Sequence, residues 1–180
     1  PLDMRKHFYK LIDKEIANAK KGHPAAITAK VNSLVDDEII ERLYKASQAG
    51  VKIKLIVRGI CCLIPGIPGL SDNIEAISII DKYLEHSRVF VFHNGGKELY
   101  YLSSADWMTR NLDHRVEVAF PILDVNLQQE IQAILDLQWK DNTKARIINK
   151  RQSNRYKSSA GKLAIRAQAG TYTYLKHQNT

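Results

Sequence analysis

The sequence is poor in several features that would set a chain apart from ordinary globular proteins. Its 180 residues hold only two cysteines, the adjacent Cys61 and Cys62. Neighbouring thiols make neither a disulfide framework nor the spaced pair of a zinc or redox site, so they read as small buried residues near a strand end. No apolar run approaches the roughly 18 residues needed to span a bilayer, and the first 20 residues lack a signal-peptide core. The cytoplasm is the expected location. No cluster of His and Cys has ligand spacing, no acidic loop has the calcium pattern, and neither common glycine-rich nucleotide fingerprint occurs. No metal site is therefore expected in the chain, and a bound nucleotide would have to be held by arginine and histidine. There is no initiator methionine before Pro1, and a piece of something larger is expected.

What is present is ordinary globular composition, 44% hydrophobic and 26% charged, at a length suited to one core. The charge is unevenly placed. Residues 1–139 carry 17 basic and 18 acidic side chains, whereas residues 140–180 carry 10 basic side chains and Asp141 alone. The whole excess of +8 thus lies in the last segment. Such a segment suits a polyanion, whether nucleic acid, a phosphate polymer or a membrane surface, and equally a solvated basic tail.

Helical spacing of Phe8, Leu11, Ile12, Ile16 and Ala19 predicts a helix over residues 3–21, stopped at Gly22. Residues 26–31 read as a strand. A helix follows from an Asp36 N-cap to Gly50, with Ile39, Ile40, Leu43 and Ala46 as its buried stripe. Residues 51–57 alternate and then turn apolar, a strand entering a sheet. Strand, helix and strand make a βαβ unit with parallel strands. Ligands in open α/β sheets bind beyond the carboxyl ends of such strands, which is where Arg58 and Gly59 fall. Residues 76–80 read as a further strand, with a short helical turn over 81–85. Residues 88–92 and 97–102 form a hairpin around Asn94-Gly95, a register that places His86 across from Ser103 with Ser104 beside it. Residues 116–122 predict another strand, and a helix runs from about Leu127 to Trp139.

His86 stands out for its company. An imidazole can give or take a proton, and Arg88 can hold a phosphate beside it. Ser103 and Ser104 can orient the ring or bind a phosphate oxygen. A strand-edge histidine hydrogen-bonded to a serine accounts for the same pattern. Arg58 can reach an anion while Gly59 lets the backbone approach it, or it can pair with a carboxylate. Asp106, Arg110, Asn111, Asp113, Arg115 and Glu117 form a polar run around Trp107 and Met108 that can serve a site or pair within itself.

The words VRGICCL, LEHSR and SSADWMTRN, in this order and at this spacing, resemble the C-terminal catalytic domain of the bacterial polyphosphate kinase family, the long-chain type that works through a phosphohistidine. The likeness runs from about Gly22 to Ala169. It implies a phospholipase-D-like α/β domain with a mixed sheet flanked by helices. In that superfamily two similar halves each bring a histidine to a shared site, one phosphorylated and the other acting as acid or base. The resemblance makes His86 of LEHSR the second histidine, and matches Arg58 of VRG to a residue that contacts ATP phosphates. Arg88, Ser103, Ser104, Asp106 and Arg110 become supporting residues. The phospholipase D pattern has a lysine two residues after its histidine and an aspartate seven after. Here those positions hold Arg88 and His93, which weakens lipid or DNA hydrolysis as the activity.

The domain organisation expected is an N-terminal helix and linker over 1–22, a catalytic half-domain over 23–139 and a basic segment over 140–180. No segment matches the family's phosphorylated histidine motif, so half of an active site is expected, with an upstream domain supplying the nucleophile and the fragment inactive alone. The resemblance implies ATP, ADP and inorganic polyphosphate as ligands, Mg2+ in the complete enzyme, a homo-oligomer, no specific nucleic acid, and at most peripheral association with the inner membrane. Arg146, Arg151, Arg155, Lys157, Lys162 and Arg166 are expected along the polymer's path. Two other readings are a non-catalytic polyanion-binding module, nucleic acid included, and a phospholipase-D-like phosphodiesterase.

Overall fold

Strand periodicity and helix capping together build this fold. The computed structural model describes residues 3–158, 160–161 and 163–178. Ala26–Val31 (β1) and Lys52–Val57 (β2) pair in parallel. The crossover between them is Asp37–Gln48 (α2), whose N-cap Asp36 accepts a bond from the Ile39 amide at 3.1 Å. Ile39, Ile40, Leu43 and Ala46 face inward, as the stripe predicts. Ile74–Ile79 (β3) pairs in parallel with β2. Arg88–Phe92 (β4), Leu99–Ser103 (β5) and Ala119–Ile122 (β6) continue the sheet beyond β1 as antiparallel strands. Ala145–Ile148 (β7) pairs antiparallel with β3 at the other edge. The resulting order is β6-β5-β4-β1-β2-β3-β7.

Helices cover both faces. Met4–Lys20 (α1) buries Phe8, Leu11 and Ile12 beside α2. The rings of Phe8, Phe90 and Trp107 meet there, with centroids 4.7 to 5.7 Å apart. On the opposite face Val125–Lys140 (α3) and Ala167–Gln178 (α4) pack against Ile56, Ile77, Val89 and Val91. The expected α/β domain with a mixed sheet between helices is therefore what forms. Among the described residues, no helix is long and apolar enough to cross a membrane.

Several expectations need correction. The β4–β5 connection is a six-residue loop containing a 3-10 turn at Asn94–Gly96, not a tight Asn-Gly turn. Its register is shifted by two, so Arg88 lies opposite Ser103. Residues 81–85 hold no helical turn and connect β3 to β4 irregularly. Strand β6 starts at Ala119, later than predicted, and Pro121 sits inside it, tolerated because β6 is an edge strand. Cys61 is only partly buried and Cys62 is exposed. The basic C-terminal segment contributes β7 and α4, so much of it is built into the domain.

Candidate active site

The parallel strands β1 and β2 end at one edge of the sheet, where antiparallel β4 begins and β5 ends. That edge gathers residues remote in sequence. Arg58 follows β2, and its Nε donates to Asn32 Oδ1 at 2.8 Å just beyond β1. Its two Nη groups have no hydrogen-bond partner among the described residues. Gly59 permits the close approach behind this pair: a Cβ there would meet the Asn32 carbonyl oxygen at 3.0 Å, while its amide donates to that same oxygen at 2.8 Å.

Arg88, the first residue of β4, is fully engaged. It forks onto Asp106 through Nε at 3.2 Å and Nη2 at 2.9 Å. Its Nη1 donates to His86 Nδ1 at 3.0 Å and to the His86 carbonyl at 2.9 Å. Asp106 in turn accepts the backbone amides of Asn32 at 2.7 Å and Ser33 at 3.2 Å. Arginine can only donate, so the Nδ1 it reaches is an acceptor, and the neutral His86 ring carries its proton on Nε2. Arg88 is thus the orienter of His86 rather than a free phosphate clamp.

The two serines do not serve His86. Ser103 Oγ donates to the Val118 carbonyl at 2.9 Å and accepts the Ala105 amide, while Ser104 Oγ bonds Glu117 and accepts the Val118 amide. They tie the end of β5 to the approach of β6. Arg110 is exposed at the start of a π-helical turn, Arg110–His114. In the polar run around Trp107, Asp106 belongs to the site, Asn111 pairs with Glu117, and Asp113 pairs with Arg5 at 2.6 Å.

One residue at this edge escaped sequence reasoning. Lys30, on β1, is only 5% exposed. Its ammonium meets Ser87 Oγ at 2.9 Å and Glu85 at 3.4 Å. Burial pushes its pKa down, against the pull of Glu85, and Arg58 and Arg88 add to the lowering. A lone lysine inside an otherwise uncharged strand was the available signal, because lysine is rarely buried without a partner.

Three of the six cations expected along the polymer's path have partners within the domain. Arg146 stacks on Tyr156 at 3.9 Å and bonds its hydroxyl. Arg166 pairs with Asp81 at 2.6 Å, and Lys157 donates to the Trp139 carbonyl. Arg151 and Arg155 are exposed, and Lys162 lies outside the described residues. Among the described residues there is no group of three or more His, Cys, Asp or Glu side chains that could hold a metal ion.

Solved structures share this architecture at low identity. NucT from Helicobacter pylori superposes with a TM-score of 0.54 at 12% identity, over 76% of this chain and 89% of that one. Nuc from Salmonella typhimurium, a phospholipase D family member, does so with 0.54 at 14%, over 75% and 89%. The mixed sheet and its flanking helices define a phospholipase-D-like α/β fold.

Within that class the chain belongs to the polyphosphate kinase C-terminal domain family, whose model, described as "Polyphosphate kinase C-terminal domain 2", matches residues 1–168. It is 52% identical over 176 residues to polyphosphate kinase from Escherichia coli K12, covering 98% of this chain and 26% of that protein. The Vibrio cholerae polyphosphate kinase is 54% identical over 177 residues, 98% of this chain and 25% of the relative. The crystal structure of the Porphyromonas gingivalis polyphosphate kinase superposes with a TM-score of 0.95 at 49% identity, over 98% of this chain and 27% of that one. The chain thus spans about a quarter of the length of these relatives.

Proposed function

We propose that this domain forms one wall of a polyphosphate kinase active site, which reversibly transfers the γ-phosphate of ATP to inorganic polyphosphate through a phosphohistidine in a preceding domain. The observation that carries the reading is Arg58: tethered at Nε by Asn32, it keeps both Nη groups without a hydrogen-bond partner among the described residues, just beyond the end of β2. A planar fork matches phosphate oxygens and neutralises charge without moving a proton. Phosphoryl transfer depends mainly on positioning and charge stabilisation, and these cations supply both.

In the forward step, nitrogen of the preceding domain's histidine attacks the γ-phosphorus, the bond to the β-phosphate oxygen breaks, and ADP leaves. A terminal polyphosphate oxygen then displaces that nitrogen. His86, presenting Nε2, holds or exchanges a proton at the phosphate oxygen in transit. Asp106 is bound by Arg88 and Glu85 by Lys30. On this reading the part played by the described residues rests on their cations, and the expected Mg2+ belongs to the complete enzyme. On this reading the use of ATP implies work in the cytoplasm, with at most peripheral membrane contact, and the complete enzyme is proposed to be a homo-oligomer.

The test is His86→Ala in the complete enzyme. Loss of one acid–base histidine should lower turnover by about 10² to 10⁴ without moving the thermal midpoint, because His86 is exposed. Near-normal turnover would remove the assignment.

A further inference from the structure

We infer that Lys30 is a positioning residue for His86, gripping from beneath the two residues that flank it. The inference rests on the reading of His86 as the acid–base histidine.

His86 lies in a stretch, residues 80–87, with neither strand nor helix to hold it. Yet transfer chemistry demands placement within a fraction of an ångström. The Lys30 ammonium donates to Ser87 Oγ at 2.9 Å and lies 3.3 Å from the Ser87 carbonyl on one side of His86. On the other side it lies 3.4 Å from Glu85. Glu85 is further held by Gln138 of α3 at 2.6 Å and Gln168 of α4 at 3.1 Å. Gln168 also brackets Tyr83, accepting its amide at 3.0 Å and donating to its carbonyl at 2.8 Å. Arg88 holds the ring itself. His86 is therefore fixed through its own ring and through both chain neighbours.

Position 30 faces the sheet side that α3 and α4 cover, where methionine or leucine would be cheaper than a charge withdrawn from water. Placing an ammonium there costs stability, a pattern typical of functional sites. Lys30 is spent on Ser87 and Glu85, so it acts through His86 and not on substrate.

The test uses the complete polyphosphate kinase and compares Lys30→Met, Glu85→Gln, Ser87→Ala and His86→Ala. Lys30→Met should lower kcat by roughly 10- to 100-fold with little change in the KM for ATP, because Arg58 is untouched. Its thermal midpoint should fall only modestly, since Glu85 is partly exposed and keeps both glutamine partners. In a His86→Ala background, Lys30→Met should cause no further loss. Normal kcat in Lys30→Met, or the same loss with His86 already gone, overturns the inference. If Lys30→Met does not fold, the surface-side variants decide: Glu85→Gln and Ser87→Ala should each lower kcat several-fold, and normal turnover in both overturns it. A normal His86→Ala enzyme instead removes the underlying reading.

Discussion

Buried charge is the recurring device at the scale of single residues, and each instance is matched by a partner from a distant segment. Arg5 of α1 joins Asp36, the buried cap of α2, at 2.8 Å to Asp113 of the π-helical turn at 2.6 Å. Arg5→Met would leave Asp36 with only the Ile39 amide and the Thr109 hydroxyl. Breaking a buried pair from one side costs about 3 to 5 kcal/mol, and urea unfolding of the chain should show a loss of that size. At the site, Arg88→Lys keeps the charge but loses the fork, so a single ammonium must choose between Asp106 and His86. Turnover of the complete enzyme should fall by about 10- to 100-fold; retention of full kcat would show that the His86 ring needs no such anchor.

Among elements, the ends of β1 and β2 are set by how closely their backbones meet. Gly59→Ala pushes a methyl group against the Asn32 carbonyl, and a few tenths of an ångström of movement there carries the Arg58 tether with it. We expect the KM for ATP to rise several-fold in the complete enzyme while unfolding stability changes little. The βαβ unit was legible from local pattern alone, because the Asp36 cap and the apolar stripe of α2 lie within one helix. The β4–β5 loop was not. Glu15 of α1, fully buried, accepts the Asn94 amide at 2.6 Å and the Ala26 amide at 3.1 Å. This pins the loop from outside, and Asn94, Gly95 and Gly96 all take positive φ. Glu15→Gln would turn an N–H group toward one of those amides. Leaving one buried donor unsatisfied should cost about 1 to 3 kcal/mol, read by denaturant unfolding.

For the whole molecule, ion pairs between its first and last elements and the body set the response to acid. Hydrogen bonds from Arg166 to Asp81 and from Arg5 to Asp113 hold both carboxylates below the usual 3.8. A depressed folded-state pKa contributes stability above the unfolded value, and that stability is lost as pH falls through the folded value. Burial raises Glu15, with the opposite sign: its contribution is present at low pH and is lost as pH rises through its folded value. Unfolding stability should therefore drop below pH about 4, and the drop should be shallower in Arg5→Met. An unchanged profile would show that Arg5 does not govern it.

The order of the first strands, the α2 crossover, the buried stripes of α1 and α2 and the family resemblance of VRGICCL and LEHSR were all determined by the sequence, since each is encoded in adjacent residues or a short period. The partners of the charged side chains were decided only by the tertiary structure. Lys30 reaches Ser87 across 57 positions, Glu15 reaches Asn94 across 79 and Arg166 reaches Asp81 across 85. Such pairs arise because the sheet lays β1 beside β4 and β3 beside β7. The same packing turned much of a basic tail into a strand and a helix. A one-dimensional pattern records which residues are charged; only the folded sheet determines which of those charges meet one another.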